Sequence, residues 1–397
     1  MANSFISNKK VKIFAAAMYD ACDYTKASVS KMPQSEFEGK KYGRGYSIYL
    51  PGVPKIVNGV VADPSDIEEI ETEIFIDNDN TSFEVNQLQA LENEEDFRDQ
   101  IAKPLAFPLA RGQEKKIVAA NCFKSAQAVV AASAGFGVLS KAASALRNLA
   151  VGGEVVSFQD FDVMGAIAES GLSNFIPAPE QSKIYSDALL GKYGGALQIG
   201  TPDMPRITTP ASAATITSIS GTAIKDSNNN TIGYEPITNV TGTNLFVGAV
   251  FKTNLKVVDP NGVESNQDYY AIVTEVSSTT AGKIMPLRVT LPGKACNNPN
   301  AVIASAGSIT FSYQLDTSST YYIGQVRTKE CFAYDNYKFK TLPGADDEIV
   351  DTVKGRSVKM TLYGQGLSLN KLIRCDSCYA AGLFEPRHSV TCYIKQA

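Results

Sequence analysis

Tryptophan is absent from this chain and histidine occurs once. No run of about 18 apolar residues, the length a membrane-crossing helix requires, is present. Each absence removes a class of function. The single His388 leaves too few imidazoles for a His-based metal cluster and one candidate for a Ser–His–Asp relay. It stands in Glu385-Pro386-Arg387-His388, which reads as a surface turn before a final strand. The nearest approach to a membrane segment, residues 126–146, is mostly Ala and Ser and carries Lys141. Positive charge is not in excess either: 37 Lys and Arg face 41 Asp and Glu, a net charge of −4. That balance argues against a phosphate-gripping surface, although a protein that encloses nucleic acid without gripping it would tolerate it. Residues 1–10 lack the apolar segment of a secretory signal, so the expectation is a soluble chain made in a cytosol. The sequons at Asn80, Asn229 and Asn239 then read as chance matches.

The 7 cysteines (Cys22, Cys122, Cys296, Cys331, Cys375, Cys378 and Cys392) are odd in number and scattered, unlike a disulfide framework. Cys375 and Cys378 have C-x-x-C spacing, but zinc would need a second pair and redox work a thioredoxin-like setting. Beside Leu372 and Ile373 they are expected to be buried thiols on a helix. Gly135-Phe136-Gly137-Val138-Leu139-Ser140 matches the dinucleotide fingerprint until Ser140 replaces its third glycine, and no firm strand is expected ahead of it. Neither a Walker motif, an EF-hand loop nor H-E-x-x-H occurs. No catalytic constellation, metal set or cofactor site is expected.

What is present is enough for a large core. At about 150 residues per domain the chain allows two or three, and its hydrophobic content of 44% is ordinary for a globular protein. Residues 1–45 hold an amphipathic stretch around 11–22, then a basic, polar arm. Residues 46–50 (YSIYL) and 70–76 (IETEIFI) read as the strands of a long hairpin, the second alternating Ile70, Thr72, Ile74 and Ile76 with Glu71, Glu73 and Phe75. Between them lies a loop rich in Gly, Pro and Asp. Asn93 before three acids reads as a helix start, although Pro104 and Pro108 must kink or interrupt that helix. A second helix start near Gln113 leads into an Ala-rich segment reaching about Leu149. From about 206 to 320 the texture turns to Thr, Ser, Asn and Gly. Short β runs at 215–219, 245–251, 255–258, 269–276, 287–291 and 308–315 suggest an all-β barrel or sandwich. Residues 332–397 return to mixed α/β texture, which makes the β module look inserted.

Three stretches resemble the coat proteins of short-tailed, P-twenty-two-like phages. They are Glu94-Glu95-Asp96-Phe97-Arg98-Asp99, then 245–252 with Val257-Val258-Asp259-Pro260, then Gly364-Gln365-Gly366 through 372–375, 379–382 and Glu385-Pro386-Arg387. Their order runs the length of the chain. The resemblance implies an α+β, Hong Kong 97-type capsid fold of tailed-phage shells. On that basis 1–45 is similar to the N-terminal arm, and 46–92 to the E-loop hairpin with an adjoining β segment. Residues 93–152 match the peripheral domain with its spine helix and 153–206 the first part of the axial domain. An inserted β-barrel would span 207–320, and 321–397 would return to the axial and peripheral core. The implied function is a major capsid protein, self-assembling into hexamers and pentamers around double-stranded DNA in a virion built in the bacterial cytoplasm. Implied partners are the chain itself, scaffolding and portal proteins, and DNA enclosed without sequence readout, with no membrane and no cofactor.

The charge pattern adds a further expectation. The basic arm (Lys40, Lys41, Arg44) and the acidic hairpin (Glu68, Glu69, Glu71, Glu73) are candidate contacts across a subunit boundary, each surface pair contributing about 0–1 kcal/mol. The rival reading is a virion adhesin or surface lectin whose β module binds a ligand. An enzyme is third, on His388 or Cys375.

Overall fold

The computed structural model describes residues 7–31, 45–51, 69–86, 101–148, 153–169, 192–193, 195–220, 223–225, 231–258, 264–290, 301–303, 310–337, 347–364 and 370–396. It is a mixed α+β fold with four α-helices among those residues: α1 (Asn8–Ala21), α2 (Lys103–Asn121), α3 (Phe136–Asn148) and α4 (Phe161–Glu169). The chain divides into two compact units.

The first unit combines Met1–Ile48, Glu73–Val118 and Lys329–Phe384. Its six-stranded sheet runs in the order Gly45–Pro51, Glu69–Asn86, Asn370–Leu383, Arg356–Gly364, Asp347–Val353, with Phe332–Tyr337 also paired to Asn370–Leu383. Helix α1 forms because Ser7 caps it, its side chain accepting from the Lys10 amide at 3.2 Å, and because Val11, Phe14, Ala15 and Met18 recur on one face. That face is fully buried against Val358, Met360, Leu362, Ile373 and Cys375 of the sheet, together with Ala102, just before α2, and Ala106 and Ala110 within it. Burying side chains such as Phe14 and Met18 stabilises the unit by about 1.5–3 kcal/mol each. The amphipathic stretch of the N-terminal region therefore packs on its own unit; the basic residues beyond it, 32–44, lie outside the described residues.

The helix start at Asn93 also lies outside them. Helix α2 begins at Lys103, so Pro104 occupies its first turn, where an amide hydrogen is not needed. Pro108 lies inside the helix, which nevertheless continues to Asn121. The Ala-rich segment is not one helix: strand Gln127–Ala131 separates α2 from α3. Val129 and Val130 favour a strand, and this one pairs in parallel with Ser389–Lys395. The helix expected around Cys375 is a strand as well. Nor does the C-terminal region contain an α-helix among its described residues; it is strands and 3-10 turns.

The second unit holds Tyr49–Thr72, Ala119–Thr328 and Glu385–Ala397. Its seven-stranded sheet runs Gln127–Ala131, Ser389–Lys395, Thr320–Thr328, Val155–Gln159, Ala196–Gly200, Lys192–Tyr193. Helices α3 and α4 pack on it: Ala142, Ala143 and Leu146 meet Val326, Val390 and Cys392, and Val163, Met164 and Ile167 belong to the cluster around Ile394. Arg206–Thr208 pairs with the start of Thr320–Thr328, Thr208 opposite Thr320. The chain thus leaves and re-enters this sheet through adjacent strands. Between them it builds an eight-stranded sheet with its own core of Val240, Leu245, Phe251, Ala271, Val273 and Ile284.

In that sheet Glu264–Ser278 pairs with Val250–Val258 and with Ala281–Thr290, and Ala301–Ile303 pairs with both of the latter, closing a circuit of four strands. Three of the expected runs (215–219, 255–258 and 269–276) fall within strands; 287–291 does so up to Thr290, 245–251 only from Val250, and 308–315 only at Ser312–Tyr313. Asn244 (φ 52°) and Gly248 (φ 89°) take left-handed backbone that a strand cannot continue. The strand Thr231–Thr243 has no counterpart among the expected runs. Its Gly242 has a steric reason: an added Cβ would lie 1.8 Å from the Thr215 carbonyl oxygen of the neighbouring strand.

Candidate functional site

The candidate contact residues divide by position. Lys40, Lys41, Arg44 and Glu68 lie outside the described residues, as does the loop 52–68. Glu69, Glu71 and Glu73 fall on the 18-residue strand Glu69–Asn86. Its register with Asn370–Leu383 begins at Ile76 opposite Ala380 and ends at Asn86 opposite Asn370. Just ahead of that register the period-2 pattern is explicit. Ile74 and Ile76 are buried, whereas Glu73 and Phe75 face solvent, Phe75 at 61% exposure. A bulky aromatic ring is therefore presented outward beside a carboxylate. Farther along, Tyr379 donates its hydroxyl to Asp79 at 3.1 Å and Asp77 at 3.3 Å, and Lys116 pairs with Asp79.

Two buried carboxylates of the first unit carry no sequence signature of a site. Glu114, on the buried face of α2, is inaccessible to solvent and receives the backbone amides of Asp23 (2.9 Å), Tyr24 (2.7 Å) and Thr25 (3.0 Å). The Thr25 hydroxyl also donates to it. Arg356, likewise buried, lies 3.9 Å from the same carboxylate, donates to Thr25 Oγ1, and stacks 4.0 Å over the Tyr334 ring. Burial pushes the adjacent Cys22 thiol up to about 12, with Arg356 opposing part of the rise. Asp335 is the second: it accepts from Ser30 Oγ at 2.5 Å, the Lys31 amide at 3.3 Å and the Tyr46 hydroxyl at 2.6 Å.

Both thiols of the C-x-x-C are buried, as expected, but on the strand Asn370–Leu383. Three residues apart on a strand, their side chains point to opposite faces, so the pair cannot converge on a metal or a disulfide. Burial raises both thiols, Cys378 to about 12. His388 lies in the 3-10 turn Pro386–His388 before the strand Ser389–Lys395. Beside it Arg387 pairs with Glu385. Strand Gln127–Ala131 does lead into Gly135–Ser140 and α3, contrary to expectation, yet Val138 and Leu139 spend that helix start on core packing. Among the described residues no group of three His, Cys, Asp or Glu is placed to hold a metal, and no helix is long and apolar enough to cross a membrane.

No protein-family model matches the chain, and no curated protein does. Among solved structures it is similar to one from Mycobacterium phage Che8 (9% identity, 93% of this chain and 90% of that one, TM-score 0.46). It is also similar to the capsid of Ralstonia phage GP4 (7%, 94% and 89%, 0.47). A third is the acidic stable capsid of Helicobacter pylori bacteriophage KHP30 (11%, 90% and 84%, 0.45). At those scores function has to be read from the chain's own residues.

Proposed function

We propose that this chain is a structural coat protein of a tailed phage, whose copies assemble into the hexamers and pentamers of a shell enclosing double-stranded DNA. The observation that carries the proposal is the strand Glu69–Asn86, which holds Phe75 and Glu73 outward just ahead of its paired register while Ile74 and Ile76 anchor it. An outward aromatic ring is the residue type enriched in protein–protein contacts, where charged groups such as Glu73 are kept to the rim. The resemblance of 94–99, 245–260 and 364–387 to short-tailed phage coat proteins supports the same reading. On it, the hairpin is the E-loop, and the module entered through Arg206–Thr208 and left through Thr320–Thr328 is the family's inserted domain. The acidic strand then meets the basic arm of a neighbour, and scaffolding, portal and enclosed DNA are further partners in the virion.

Electron microscopy of the purified full-length chain is the test. Shells, tubes or hexamers are expected. Discrete particles that bind a glycan or cell surface would establish the adhesin reading instead. Phe75→Ser and Glu71→Lys/Glu73→Lys should impair assembly at low salt without changing the melting temperature. Lys40→Glu/Lys41→Glu should restore the Glu→Lys variant if arm and hairpin touch. Normal assembly of both hairpin variants at every ionic strength would remove the hairpin from the contact.

A further inference from the structure

We propose that Asp335 is a shared anchor coupling two segments remote from it in sequence: the strap 22–31 beyond α1, and the hairpin strand Gly45–Pro51. The two lie on either side of residues 32–44. The strap contributes Cys22, Tyr24 and Ala27 to the interior, and Tyr24 sets its ring edge-on to Phe332 at 5.2 Å. Its backbone touches the strand Phe332–Tyr337 at one point: Val29 donates to the Phe332 carbonyl at 3.0 Å and accepts from Tyr334 at 3.1 Å. Beyond Val29, polar contacts converge on one side chain. Ser30 Oγ takes Asp335 Oδ1, while the Lys31 amide and Tyr46 hydroxyl share Oδ2. Asp335 is 4% exposed, so water is a poor substitute for any of the three donors.

A buried carboxylate that loses a donor is left under-satisfied, and the cost of keeping it out of water then favours turning it toward solvent, away from the donors that remain. Strap and hairpin strand are therefore not held independently. Release of Tyr46 weakens the hold on Ser30 and Lys31, and release of the strap weakens the hold on Tyr46. All four residues belong to the first unit. The coupling does not depend on the coat-protein reading and is measured on the unassembled chain.

Hydrogen exchange by mass spectrometry on the full-length chain tests it. Tyr46→Phe deletes one hydroxyl and alters nothing in the strap. It should nonetheless speed exchange in a peptide covering 27–31 several-fold, and Ser30→Ala should do the same for 45–51. Asp335→Ala should accelerate both by about tenfold or more while Thr320–Thr328 stays protected, about 1.4 kcal/mol per tenfold. If Asp335→Ala does not fold, the two milder variants still decide. The proposal is overturned if each single variant changes only its own segment, or if protection falls uniformly over the chain.

Discussion

Replacing Glu114 by Gln is the most informative single change in the first unit. The carboxylate is fully buried and receives three backbone amides and one hydroxyl, with Arg356 3.9 Å away. Glutamine keeps the volume but offers one acceptor oxygen, and its amide hydrogens point at groups that are themselves donors. Hydrogen bonds to a charged acceptor contribute about 1.5–3 kcal/mol each, and at least one or two of them are lost. Arg356, 3% exposed, also loses its negative neighbour. Breaking one side of a buried pair costs about 3–5 kcal/mol. The two estimates describe the same loss and are not summed, so the expected change is about 3–5 kcal/mol. For a domain of 150–250 residues that lowers the melting temperature by about 6–20 °C. Differential scanning calorimetry and urea unfolding measure it, and the Glu114→Gln/Arg356→Met double variant completes the cycle. Removing the stranded cation should recover part of the loss, with a coupling of about 1 kcal/mol or more. A single variant within about 1 kcal/mol of the parent, or strictly additive effects, would refute the reasoning.

Cys22, Cys378 and Cys392 are raised by burial from an ordinary 9.0 to about 12. Below pH 9 folded and unfolded thiols are both protonated and contribute no pH dependence; between 9 and 12 the unfolded thiols ionise while the folded ones do not. The contribution of these thiols to stability should therefore be flat below about pH 8.5 and then fall by up to about 1.4 kcal/mol per pH unit for each thiol; stability that does not fall between about pH 9 and pH 11 would contradict it. Residues 207–320 expressed alone should give a β-type circular dichroism spectrum and a cooperative melt, and Gly242→Ala, whose Cβ meets the Thr215 carbonyl, should lower that melt. A disordered fragment would sink the domain assignment.

Features that carry a period are legible in the sequence. The α1 face repeats at helical spacing, and Glu73, Ile74, Phe75 and Ile76 alternate, so the helix and the hairpin strand are both visible. The strand Asn370–Leu383 reads as a helix instead because its Cys375–Ala380 stretch is buried on both faces, which erases alternation. Alanine is as uninformative: nothing in 113–149 says where α2 stops except Val129, Val130 and Gly135. The anchors are hidden for a different reason. Glu114 sits in Gln-Glu-Lys-Lys, which looks solvated, and its donors are 89–91 residues away; those of Asp335 are 289–305 away. One signal is available for Glu114. Ala106, Ala110, Glu114 and Val118 recur every fourth residue, which puts the carboxylate on the buried face of its helix.

The same long separations constrain when this chain can become competent for any role. Helix α1 docks on a surface made of Val358, Met360, Leu362, Ile373 and Cys375, and the strap beyond it needs Asp335 and Arg356. In the second unit the strand Ser389–Lys395 lies inside the sheet, between Gln127–Ala131 and Thr320–Thr328. Neither core closes until the last strands of the chain are in place. Contacts of such sequence separation form slowly and leave apolar faces uncovered meanwhile, Phe14 and Met18 among them. Under the proposed coat role, that ordering has a use. A chain that has not yet reached Asn370–Leu383 lacks the strand on which Glu69–Asn86 is registered, so the strand that carries Phe75 outward is positioned only once residues 370–383 are in place.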